Sequence, residues 1–167
     1  MATTYEAIAT VTVGSGGAAS IEFSSIPATY TDLKLVFSTR VDVGGGQNGF
    51  YISLNSNTAS FSAKQIQGDG SSVASFSLLR FAGYSDASGA TANTFSNGEL
   101  YFPNYASSNN KSFSGDAVQE NNQTTAYILM GAHLWSNSAA ISTITLTPDT
   151  ANFVQYSTAT LYGIKNS

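Results

Sequence analysis

The chain lacks cysteine altogether and holds a single histidine and six Lys plus Arg among its 167 residues. Without cysteine there are no disulfides, no thiolate nucleophile and no cysteine metal site. The compartment stays open, since a Cys-free chain suits reducing and oxidising surroundings alike. One histidine, His133, excludes a His-rich metal cluster and leaves only that residue to anchor a histidine-based triad. The six cations are Lys34, Arg40, Lys64, Arg80, Lys111 and Lys165, scattered singly in a chain of formal net charge −4. Nucleic-acid binding needs clustered Lys or Arg, so no such partner is expected. No apolar run approaches the ~20 residues of a membrane-spanning helix, and Met1 to Glu6 shows no basic-then-apolar signal segment.

What fills the space is neutral polarity. Charged residues make up 10% of the chain against a typical ~25%, whereas 25 Ser, 18 Thr and 13 Asn occupy a third of it. Aromatics at 12% argue against disorder. The length fits one domain over residues 1–167 with a core of its own.

The local pattern is period two. Tyr5–Val13 alternates, Gly14-Ser15-Gly16-Gly17 supplies a turn, and Ala19–Phe23 alternates again, which predicts a hairpin. Pro27 ends it and Asp32–Val41 resumes. Further strands are expected at 50–54, 61–67, 73–81, 100–105, 112–120, 124–135, 141–147 and 158–164, separated by Gly, Asn and Pro-Asp punctuation. No long window carries helical periodicity. The expectation is an all-β fold, an antiparallel β-sandwich or jelly roll of ten or eleven short strands. Two long polar interruptions, Gly83 to Gly98 and Asn104 to Lys111, read as loops. In the first, Tyr84 and Phe95 are candidate subunit-contact residues, because interfaces are enriched in aromatics.

Catalytic chemistry finds little footing. His133 lies in the apolar run YILMGAHLW, where a packed strand residue is the stronger reading than a base. No G-x-S-x-G surrounds a serine, and Gly44-Gly45-Gly46 precedes neither Lys nor helix, which leaves it a flexible turn. Asp69, Asp86 and Asp116 show no paired-acid signature. Trp135 and nine tyrosines could stack on sugars, yet the apolar neighbours of Trp135 favour the core. No enzyme activity, catalytic set, metal site or cofactor is expected.

Three stretches carry a resemblance. They are Phe23-Ser24-Ser25-Ile26-Pro27-Ala28-Thr29-Tyr30-Thr31-Asp32-Leu33, the run from His133-Leu134-Trp135 to Ile141-Ser142-Thr143-Ile144-Thr145-Leu146, and Ser157-Thr158-Ala159-Thr160-Leu161-Tyr162-Gly163-Ile164-Lys165. Together they resemble a family of small β-rich virion proteins of tailed bacteriophages, especially phages of marine and freshwater bacteria. Between Gly44 and Gln123 the likeness is one of texture alone. The resemblance implies a virion component on the outer surface of the particle: a capsid decoration (cement) protein that stabilises the head. A tail- or head-fibre module, or a carbohydrate- or receptor-binding sandwich, is the alternative. The implied partners are the major capsid protein or other virion proteins and further copies of the chain, with a trimer favoured. A host-surface glycan is the partner of the alternative reading. A Cys-free, weakly charged, hydroxyl-rich surface suits a protein present in many copies, since it leaves nothing to cross-link by oxidation.

Overall fold

The computed structural model describes residues 4–124 and 126–165, and among them there are twelve strands and no helix. The strands are β1 (Tyr5–Thr12), β2 (Ile21–Phe23), β3 (Asp32–Thr39), β4 (Gln47–Leu54), β5 (Phe61–Gly68) and β6 (Val73–Phe76). They continue as β7 (Phe81–Asp86), β8 (Ser96–Phe102), β9 (Lys111–Gln119), β10 (Tyr127–Trp135), β11 (Ile144–Pro148) and β12 (Thr158–Ile164). One sheet has eight strands in the order β1-β12-β3-β8-β9-β10-β5-β6, and the other has four in the order β2-β11-β4-β7. Every pairing between named strands is antiparallel.

Setting β5, β6, β9 and β10 aside leaves β1-β12-β3-β8 against β2-β11-β4-β7, the two four-stranded sheets of a jelly roll. The remaining four strands are two hairpins inserted at different points of the chain. They pair with each other through β10 and β5, and with the jelly roll through β9 and β8. One sheet is thereby doubled in width.

The core lies between the sheets because alternate residues of each strand turn the same way. Leu33, Leu35 and Phe37 of β3 meet Phe50, Ile52 and Leu54 of β4 in one buried cluster with Leu100, Leu146 and Leu161. Phe37 and Phe50 touch edge to face with centroids 5.0 Å apart, joining the two layers. Each such side chain contributes about 1.5–3 kcal/mol on burial. Polar groups that cross the layers are paired: Thr39 Oγ1 lies 2.7 Å from Ser85 Oγ and 3.1 Å from Ser96 Oγ.

Two expectations fail here. Tyr5–Val13 and Ala19–Phe23 do not form a hairpin, because β1 pairs with β12 in the large sheet and β2 with β11 in the small one. The glycine turn carries the chain from one sheet to the other, and Ala18 bridges to Phe153 instead of folding back. Alternation gives each strand its faces but not its neighbour. A bulge between Ala7 and Ala9 also changes which parity faces inward, so Ile8 and Val11 are both half-buried.

The second failure concerns 73–98. The expected single strand 73–81 breaks at Ser77–Arg80, where Arg80 has φ of 62° and the chain crosses from β6 to β7. Phe81–Asp86 is a strand, which makes Tyr84 a strand residue and shortens the loop to 87–95. Strand β7 is buried at five of its six positions, so it has no polar face to alternate. Its Gly83, at φ 156°, lies so close to β9 that a Cβ would come within 2.8 Å of the Ala117 Cβ.

Both remaining loops are tied down by single cations. The Arg40 guanidinium donates to the carbonyls of Thr91 (2.9 Å), Thr94 (2.9 Å) and Ala90 (3.2 Å). Lys111, almost wholly buried, donates from Nζ to the Ser107 carbonyl at 2.8 Å and to that of Asn109. In the same stretch Tyr105 fills the core and donates its hydroxyl to the Pro27 carbonyl.

Candidate functional site

The residues with catalytic potential are engaged structurally. His133 points inward from β10, its ring 4.8 Å from that of Phe113 and tilted by 10°. Its Nδ1 is buried without a partner, and burial pushes the imidazole down to about 4, so it is neutral near pH 7. Trp135 is equally buried and stacks on Phe61 at 6.2 Å, which removes the indole as a sugar platform. Asp69 accepts from the Ser71 and Ser72 amides at 2.8 and 2.7 Å, closing the β5–β6 turn. Those bonds hold its carboxyl well below the usual carboxylate range. Asp86 is buried at the end of β7, where its Oδ1 accepts from Gln119 Nε2 at 3.0 Å and Asn121 Nδ2 at 3.1 Å. Among the described residues no group of three or more His, Asp or Glu converges to hold a metal.

The large sheet behaves differently on its outer face. Even-numbered residues of β5, β9 and β10 face outward, and register places Ile66 beside Met130 and Met130 beside Asp116. The next outward row sets Gly68 beside Ile128 and Ile128 beside Val118. Three adjoining depressions follow β10 along this face. One of about 420 Å³ lies by Leu134, Ala132 and Leu79, and one of about 590 Å³ by Met130, Ile66 and Phe76. A third, of about 210 Å³, lies by Ile128 and Val118. Ser112, Ser114 and Ala132 line the first two together with Met130 and Ile66, and the exposed Ile128 lines the third, so the three make a discontinuous trough along the face.

These side chains are far more exposed than aliphatic residues usually are. Val73 on the β6 edge is 79% exposed, Met130 58%, Ile128 56%, Leu79 53% and Ile66 51%. Contiguous aliphatic exposure of this kind marks a surface that another body covers. The rims carry Lys64 and Asp116, one charge of each sign. Burial lifts the Asp116 carboxyl above its usual range, and Glu99, directly opposite on β8, adds to the rise. Glu99 itself is paired with Lys34 at 2.6 Å.

The two residues singled out in the sequence lie elsewhere. Tyr84 stacks on Tyr127 with centroids 4.9 Å apart, meets Phe81 edge-on, and donates its hydroxyl to Gln67 Oε1 at 3.2 Å. Phe95 stands half-buried in the 87–95 loop, just before β8. Sequence reasoning missed Ile66, Val73, Ile128 and Met130. The signal was present in YILMGAHLW, which is apolar at both parities. An antiparallel strand with two apolar faces asks for cover on both.

Comparison with known proteins adds no relative: no family model matches the chain, and no curated protein matches it.

Proposed function

We propose that this chain is a non-catalytic structural protein of a bacteriophage particle, a decoration protein that cements the outer surface of the head. The observation that carries the reading is the aliphatic trough on strands added to a jelly-roll core. Ile66, Ile128, Met130 and Val73 present methyl and methylene groups, which suit the side chains of another protein far better than a sugar ring or a charged ligand. The likeness of the 23–33, 133–146 and 157–165 stretches to phage virion proteins supplies the particle, and the major capsid protein is the underlying partner. A fibre module would use the same trough between its own chains.

The test uses heads lacking the protein. Purified chain is added and sedimented with them, copy number is counted, and genome release on heating is followed. Saturable binding with added heat resistance is expected, and Ile66→Lys should lower the bound copy number. Heads that retain no protein, or are equally heat-labile with it, would sink the proposal.

One observation favours a second reading, glycan binding. Tyr162 lies on the same outer face beside Lys34, which in turn lies beside Tyr101, and the Tyr5 ring meets Tyr162 at 6.5 Å. Three phenol rings flank the paired Lys34–Glu99, Tyr5 standing edge-on to Tyr162 at 70°, and together they offer ring faces and hydroxyls to a sugar. A glycan array covers this reading, with Tyr162→Ala losing any signal; silence across host polysaccharides removes it.

A further inference from the structure

The trough carries charge as well as aliphatic groups. Ion pairs among the described residues join Lys34 to Glu99 and Lys165 to Glu6. Lys64 and Asp116, which both line the depression beside Met130 and Ile66, take part in neither. Among the described residues Lys64 Nζ bonds to the Ser77 hydroxyl at 2.9 Å and to no carboxylate, while Asp116 stands opposite Glu99 and is attracted only by Lys34, which is already paired with Glu99. Each therefore has an attraction to gain from outside the chain.

Their placement is specific. Lys64 sits on β5 beside Ala132, and Asp116 sits on β9 beside Met130, with β10 running between them. Strands about 4.8 Å apart, rising about 3.3 Å per residue, put the two Cα atoms roughly 12 Å apart. Their midpoint falls on β10 at Gly131. A two-fold axis lying in the plane of contact and passing over Gly131 would exchange the two positions. Lys64 of each copy then meets Asp116 of the other, giving two identical ion pairs about an aliphatic centre. On the same ideal sheet, that operation lays Met130 of one copy beside Ile66 of its mate. The face is thus complementary to itself in charge and in apolar content, as an isologous interface requires.

We infer that the trough is the dimer interface of this protein, occupied by the outer sheet face of a second copy, with reciprocal Lys64–Asp116 pairs fixing the register. The inference rests on reading the trough as a protein-docking face and gives it a second copy as occupant in place of the capsid protein, so that the head is met by the dimer. Apolar contact of Ile66, Ile128, Met130 and Val73 supplies the attraction. The charges favour the two-fold arrangement over sliding along β10, since a slip along the strand draws Lys64 of one copy away from Asp116 of the other.

Sedimentation equilibrium on the whole chain, from about 5 to about 500 µM, reads the association. Wild type should fit a monomer–dimer equilibrium. Lys64→Glu and Asp116→Lys should each weaken it at least about tenfold, because symmetry converts two attractions into two repulsions. The double reversal should restore it to near the wild-type constant. Both side chains are exposed, and thermal unfolding of each variant shows whether the fold is retained. A wild type that stays monomeric, an assembly indifferent to either reversal, or a double variant as weak as the singles would overturn the inference. Monomeric protein that still binds heads through Ile66 would leave the docking reading standing and remove the second copy alone.

Discussion

Lowering the pH should destabilise this protein through one side chain, His133. The imidazole sits near 4 in the folded chain because burial disfavours its charged form, whereas an unfolded histidine titrates near 6.5. Between those values the unfolded chain binds the proton and the folded chain does not, so stability falls as pH falls. The contribution is fully present above about 6.5 and is lost on descent to about 4. At 1.36 kcal/mol per unit the loss reaches about 3 kcal/mol, a large share of the 5–15 kcal/mol typical of a whole domain. In thermal terms this is roughly 6–12 °C for a chain of this size. His133→Phe keeps a ring against Phe113, and it deletes both the titration and the unpartnered Nδ1. Urea midpoints of both proteins at pH 7, 5.5 and 4 separate this effect from carboxylate protonation, which the two share. The variant should lose about 3 kcal/mol less than wild type over that range. Parallel losses would refute the assignment of acid sensitivity to His133.

Two further outcomes test the chain's internal ties. Gln65, buried on β5, donates from Nε2 to the Leu78 and Phe81 carbonyls, each at 3.1 Å, and accepts from the Leu78 amide at 2.9 Å. Gln65→Leu strands the Leu78 amide, removes the Gln65 donor from the Phe81 carbonyl and leaves the Leu78 carbonyl only the long 3.5 Å bond from the Phe81 amide, and it should cost about 2–4 kcal/mol in urea unfolding, with faster amide exchange confined to 78–81. Arg40→Lys keeps the charge but not the fork that holds several loop carbonyls at once. Limited proteolysis should then cut within 88–94 while cutting elsewhere is unchanged, at a cost of about 1–2 kcal/mol.

The fold was legible wherever a strand has one wet face. Strand β5 alternates buried and exposed from Phe61 to Ile66, and β9 and β12 do much the same, which is what period-two reading detects. It failed at β7, whose two buried faces look like a loop of small residues; at β1 it found the strand but not the inward face, because a bulge breaks the phase. It could not pair β1 with β12, because about 150 residues of chain separate them and alternation carries no long-range address. The inward roles of His133 and Trp135 were legible from their apolar surroundings. The trough was not, since the apolar run from Tyr127 to Trp135 does not tell which of its residues stay uncovered until the sheet leaves Ile128 and Met130 exposed among the described residues.

The position of β12 between β1 and β3 has a consequence for synthesis. Both neighbours are made within the first 39 residues, and the strand that joins them ends at Ile164. At about 5–20 residues per second, a ribosome needs roughly 6–25 s to travel from one to the other. Throughout that interval a slot one strand wide stands open next to the β1 edge of the large sheet, its backbone donors and acceptors unclaimed. Any extended segment of suitable pattern, from this chain or from a neighbour on the same message, can occupy it first. A nascent chain stopped before Thr158 is therefore not a shortened version of the fold but an unclosed one, with the edges of β1 and β3 both exposed.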